Sequence, residues 1–228
     1  MRKKMMLLGL GAMVALAFAA LPAVASAGEP EISCGGLVCG KFTSHSGKTA
    51  LSTTNGTTVT CTSSTGSGEY TTKKTGNITL TFHGCTTPTF FGATCTTPGQ
   101  TAGTIKTGTS VFHNVYLTDA KTTPGVLITQ PTSGPYTTFN CAGFLHVEVF
   151  GSIIGDLESP GCGALASKEL KLGFKSTAHG QQQYKQNTAT GTIFDLTSKL
   201  NGGAAQTAAM DSEKAVVTLG TAGTVNCV

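Results

Sequence analysis

The chain contains no tryptophan and only 4 tyrosines in 228 residues. Sugar-binding modules and single-strand nucleic-acid platforms usually stack ligands on exposed aromatic rings, so both readings lose support, although a polar sugar site stays open. Charge is scarce too: 15 Lys and Arg stand against 11 Asp and Glu. No Cys-x-x-Cys pair is present, which argues against structural zinc. Gly47-Lys48-Thr49 has the ending of a phosphate-binding loop, but the required earlier glycine is replaced by Phe42. No catalytic, cofactor or nucleic-acid motif survives, and no cofactor is expected.

What is present begins at the N-terminus. Arg2, Lys3 and Lys4 form a basic start, Met5 to Leu21 is uncharged and apolar, and Pro22 breaks the run. Ala25-Ser26-Ala27 then supplies small residues at the −3 and −1 positions that suit a signal peptidase. The expectation is a signal peptide over 1–27 and a single secreted β domain over 28–228, with a split near Pro160 as the alternative. A transmembrane anchor would need about 20 apolar residues and no cleavage site directly after them. Removing three positive charges takes the formal net charge from +4 to +1. A nearly neutral surface has no field to steer nucleic acid or acidic membrane. No membrane span is expected after cleavage.

All 8 cysteines lie beyond the leader, and an even count in an exported chain reads as disulfides. They are sparse, so they brace a core rather than replace one. Cys85 and Cys95 bracket the Thr86–Thr94 loop and are expected to pair locally. Cys61 and Cys141 sit in strand-like context and are expected to bridge two sheets. Elimination leaves Cys34 with Cys39 and Cys162 with Cys227.

Threonine and glycine dominate from Phe42 to about Asn140. β-branched threonine suits a strand with one wet face, and Asn-Gly and Pro-Gly punctuate the strands. Asn55-Gly56 marks a hairpin. Ile78, Leu80 and Phe82 alternate with polar residues and should face inward. Ser110–Leu117 reads as a central strand, Phe144–Phe150 alternates again, and Gly151 suggests a bulge. Further strands are expected at Gly125–Thr129, Tyr136–Cys141, Leu170–Phe174, Gln182–Lys185, Thr192–Thr197, Ala215–Leu219 and Thr224–Val228. Ala204–Lys214 is alanine-rich, but reads as strand or loop rather than helix. Turn signals recur about every 8–12 residues, as in a sandwich or barrel. The expected fold is all-β: sandwich or barrel-like antiparallel sheets of about a dozen short strands, disulfide-braced.

Few residues offer chemistry. His146 and Glu148 share a strand face flanked by Phe144 and Phe150, and such a pair could orient a general base or supply two metal ligands. A partly exposed strand with a cross-strand ion pair explains them better, since no third ligand or nucleophile is indicated. Asp156 and Glu158 read as a loop, with too few oxygens for calcium on their own. His113 reads as a core histidine, His83 as a surface one, and His45 and His179 as turn residues. The Thr58-Val59-Thr60 and Thr79-Leu80-Thr81 ladders lack the strict repetition needed to order ice.

Several segments carry a resemblance. Val59–Glu69, Thr79–Cys85, Cys95–Gly99, Gly103–Ile105, Phe139–Cys141 and Val149–Gly155 together resemble secreted Thr/Gly-rich, cysteine-containing β proteins of high-GC Gram-positive bacteria. The likeness implies export and a β fold and carries no catalytic residue over. The expected function is a secreted, non-catalytic module that meets an unknown extracellular partner or envelope component. The alternative is a secreted hydrolase or metal-dependent enzyme near His146 and Glu148, with His113 or Asp156 as helpers.

Overall fold

The computed structural model describes residues 28–131, 134–159 and 161–227, so the leader and its cut after Ala27 lie outside the described residues. The fold is nearly all-β, with almost no helix, and every pairing among the described residues is antiparallel. It begins with β1 (Glu31–Cys34), β2 (Leu37–Val38), β3 (Lys41–Ser46), β4 (Thr49–Thr53), β5 (Thr58–Cys61) and β6 (Ser63–Tyr70). There follow β7 (Thr75–His83), β8 (Thr86–Thr87), a 3-10 turn (Pro88–Phe90), β9 (Ala93–Thr96), β10 (Ile105–Lys106) and β11 (Ser110–Tyr116). Next come β12 (Pro124–Thr129), β13 (Thr137–Cys141), β14 (Leu145–Ser159), β15 (Gly163–Ala164), β16 (Glu169–Gly173) and β17 (Ser176–Ala178). The chain finishes with β18 (Gln181–Gln182), β19 (Gln186–Asn187), β20 (Thr192–Ile193), β21 (Leu196–Leu200), β22 (Gln206–Ser212), β23 (Ala215–Leu219) and β24 (Gly223–Asn226).

The pairings close a barrel of eight strands. At one end, the base, the ring runs β14-β12-β11-β7-β6-β3-β23-β16 and returns to β14. At the other end, the tip, it runs β14-β13-β9-β8-β5-β4-β22-β21 and again returns to β14. The two rings are one long barrel, because their strands continue each other. β3 runs into β4 across Gly47-Lys48, opposite β22 and β23 joined across Glu213-Lys214, and Glu213 N–H still donates to Lys48 O at 2.9 Å. β6 follows β5 across Thr62, and β8 follows β7 across Gly84-Cys85. β14 alone spans the full length with 15 residues, roughly 50 Å if extended. Closure leaves these strands no free edge. Strands from both sides of residue 160 complete both rings.

Alternation fills the lumen and wets the outside. Leu51, Val59, Phe139, Val147 and Val149 point inward in the tip half, and Phe42, Tyr70, Ile78, Phe112, Ile128 and Leu157 in the base half. Lys41, Thr43, His45, Thr65 and Glu69 face out. Phe42, Tyr70 and Phe112 plug the base half with centroids 4.8–5.7 Å apart, Phe112 meeting both other rings edge to face and Phe42 tilted against Tyr70. Glycine makes room for them: a Cβ on Gly68 would lie 2.4 Å from the Phe42 ring and one on Gly76 2.5 Å from Phe112. Beyond the base, β15-β24-β1-β2 form a small capping sheet.

Several expectations change. Among the described residues there are about twice as many strands as expected: long barrel strands are interrupted halfway, and the capping sheet and the outer hairpins add eight more. Asp156-Leu157-Glu158 is strand, not loop: Leu157 continues the inward row of β14. His45 lies in β3 rather than a turn. Gln206–Ser212 is indeed strand, and Gly151, at φ +96°, kinks β14. Gln182–Lys185 is not one strand. Residues 175–195 instead form two short hairpins packed outside the barrel, where Tyr184 and Phe194 cover Val115, Leu127 and Ile154.

The disulfides are Cys34–Cys39, Cys61–Cys85, Cys95–Cys141 and Cys162–Cys227. The expected Cys85–Cys95 and Cys61–Cys141 pairs are therefore wrong. Cys95 and Cys141 are direct cross-strand partners, and Cys95 N–H donates to Cys85 O at 2.9 Å. The four half-cystines thus lace β5, the β7–β8 junction, β9 and β13 side by side.

Candidate functional site

Four connections meet at the barrel tip: 54–57, 88–92, 142–144 and 201–205. None holds a charged residue, nor do the residues next to them. The base connections, by contrast, carry Lys73, Lys74, Asp119, Lys121 and Lys168. Three of the tip turns have consecutive positive φ values, at Phe91-Gly92, Ala142-Gly143 and Asn201-Gly202. That geometry suits the right-handed twist of a hairpin, and its first position favours asparagine, as at Asn201. Phe91 occupies it at φ +57° instead. A bulky residue in the left-handed region costs about 1–3 kcal/mol unless something else is gained.

This strained phenylalanine is also the most exposed large hydrophobic side chain among the described residues. Phe91 is 106% exposed and Phe144 60%. Phe90 anchors them: it packs on the core and meets Phe144 edge to face, with centroids 5.8 Å apart. The Cys95–Cys141 bridge ties the strands that carry the two loops. The tip is therefore a braced, uncharged surface presenting aromatic rings to solvent. Phe144 was visible in the sequence as a flank of the His146 strand. Phe90 and Phe91 were not read, though two adjacent phenylalanines between cysteines in a Thr-Pro turn were the available signal.

The residues expected to carry chemistry do not converge. His146 and Glu148 share the outer face of β14, as their spacing required. His146 Nδ1–H donates to Asn140 Oδ1 at 2.8 Å, and its backbone N–H donates to Asn201 Oδ1 at 2.7 Å. Glu148 faces Lys199 across the strand, yet Lys199 lies over the Phe150 ring, 5.1 Å from its centroid. Asp156 is eight residues further along β14, up to about 26 Å from Glu148. His113 lies on β11 opposite Thr75 and Leu127, where burial lowers its pKa and nearby Glu29 partly opposes this. Among the described residues no group of three or more His, Cys, Asp or Glu is placed to hold a metal ion.

Asp156 and Glu158 have lysines where a cation would sit. Lys175 Nζ is 2.9 Å from Asp156 and 2.8 Å from Glu158, and Lys214 Nζ is 2.5 Å from the other Glu158 oxygen. The hydrogen bonds from Lys175 and Lys214 hold the Glu158 carboxyl below the usual carboxylate range, and the carboxylates hold Lys175 protonated. The cluster clamps the start of the outer hairpins onto β14.

No helix among the described residues is long and apolar enough to cross a membrane. The four disulfides point to an oxidising compartment. Comparison with protein-family models, with curated proteins and with solved structures gives no match.

Proposed function

We propose that this chain is an exported, non-catalytic interaction module of the extracellular space or cell envelope, and that it meets its partner through the phenylalanine tip. The observation that carries this reading is Phe91: an exposed aromatic ring in a backbone conformation that asparagine or glycine would adopt at lower cost. Exposed apolar residues grouped on a rigid, uncharged surface are the usual mark of a contact site. Export is supported by the leader-like N-terminus and the four bridges. The likeness to secreted Thr/Gly-rich proteins agrees with it. The rival hydrolase or metalloenzyme reading has His146 and Glu148 on an open strand face, with asparagines as the neighbours of His146.

The test is co-sedimentation of the purified, oxidised protein with an envelope fraction from a high-GC Gram-positive cell. Wild type is expected to pellet with the fraction, and Phe91→Asn combined with Phe144→Asn is expected to stay in solution. The single change Phe91→Asn should also raise folding stability by about 0.5–1 kcal/mol, because the strain is released. Equal pelleting of both proteins overturns the tip as the contact site.

A further inference from the structure

The barrel lumen is not filled evenly. Between the Phe42–Tyr70–Phe112 plug and the tip lies a cavity of about 90 Å³, bordered by Leu51, Val59, Leu80, Phe82, Val149 and Met210 among others. No nitrogen or oxygen atom is exposed to it. Three of the polar side chains that border it are hydrogen-bonded within the wall. The Tyr136 hydroxyl donates to Ile128 O, Thr137 Oγ1 donates to Lys106 O at 2.8 Å, and Thr107 Oγ1 accepts from Leu80 N–H at 2.9 Å. Water in this space would find no partner. A water needs two to four polar neighbours, and apolar cavities without them stay dry.

The wall resists collapse. The ring of strands is closed, Cys61–Cys85 and Cys95–Cys141 lace one side, and aromatic rings block the base. A less rigid core would close part of such a gap.

The cavity also sits at the level where most barrel strands are interrupted. The strand interruptions at Gly47-Lys48, Thr62, Gly84-Cys85, residues 97–104 and Glu213-Lys214 all fall at this waist. Thr49, Cys61, Phe82, Ile105 and Met210 lie just beside those breaks and border the cavity. Leu51, Leu80, Phe82 and Met210 border the cavity and are only half-buried. Methionine is unbranched and adaptable, which suits a residue that must move aside.

We propose that the waist cavity is a binding site for a small uncharged apolar molecule, of the size of a single aromatic ring or a compact branched alkane. The site is independent of the tip and of any partner bound there. Its size lies between that of one water, about 30 Å³, and an engineered cavity of about 150 Å³ that takes benzene or xenon.

The probes are xenon and benzene, added to the secreted protein with its four bridges intact. Wild type is expected to give a saturable xenon NMR shift and a higher unfolding midpoint with benzene, but no response to benzoate. Val149→Phe, which fills the space, is expected to lose both responses. Val149→Ala, which enlarges it, is expected to bind toluene more tightly than wild type does, and this comparison stands even if the phenylalanine variant does not fold. Absence of a saturable response in wild type overturns the proposal. So does benzene binding that persists unchanged in Val149→Phe, or toluene binding that Val149→Ala does not improve.

Discussion

Below neutral pH the shifts of His113 and Glu158 act on stability in the same direction. Burial lowers the His113 pKa from 6.5, so the unfolded chain takes up this proton first as pH falls. Its contribution to stability is then present above about pH 6.5 and declines as pH drops below it. Glu158 is a depressed carboxyl. Its contribution is present above the ordinary carboxylate pKa and is lost as pH falls through its lower folded value. Urea midpoints measured from neutral to acid pH should therefore fall in two stages. His113→Gln should flatten the first and Glu158→Gln the second. A midpoint that rises on acidification would contradict both assignments. The partner of Glu158, Lys175, is partly exposed, so solvent screening keeps the second stage small.

At the scale of elements, alternation was legible and register was not. Ile78 lines the base of the lumen, and Leu80 and Phe82 border the waist cavity, as the period of two in Asn77–Phe82 implied. The same rule failed at Asp156-Leu157-Glu158, because burying charge on a strand looks unfavourable until Lys175 and Lys214 are seen above it. It failed again for the bridges. Cys85 and Cys95 are close in sequence and share a backbone hydrogen bond, yet each side chain bridges outward, Cys85 to Cys61 and Cys95 to Cys141. Only the full strand order reveals that. The pairing has an energetic consequence. Cys95–Cys141 closes a separation of 46 residues and Cys34–Cys39 one of 5. Chain entropy then assigns about 4 kcal/mol to the first and about 2 kcal/mol to the second. Paired alanine replacement should lower the urea midpoint about twice as far for Cys95 and Cys141 as for Cys34 and Cys39. Equal losses would show that the lacing restrains the unfolded chain no more than the cap does.

The whole molecule combines a barrel without edges and an outer flap with many. In the barrel each strand is hydrogen-bonded on both sides, so opening one strand breaks two ladders. In the flap, β17 pairs only with β18 and β19 only with β20, each over two or three residues. Short isolated hairpins are marginal in water, and such units open far below the global unfolding free energy. The flap is held by the Lys175 clamp at one end, by hydrogen bonds such as Ser176 N–H to Asp211, Gln182 Nε2 to Ser152 O and Thr188 N–H to Tyr116 O, and by the Val115–Leu127–Ile154 cluster beneath Tyr184 and Phe194. Lys185 sits between the two hairpins, and its ion-pair partner Asp195 is about half exposed, so that restraint is weak. Trypsin under native, non-reducing conditions should therefore cut first after Lys185. The barrel should stay folded after that cut. Its strands on the two sides of the nick are joined by ladder pairings rather than by the flap, and Cys162–Cys227 keeps the two fragments covalently linked. The measurement is peptide mapping of the earliest product, followed by its thermal unfolding. First cleavage after Lys41 or Lys74, within or beside the barrel strands, would mean that closure does not make the barrel the more stable part.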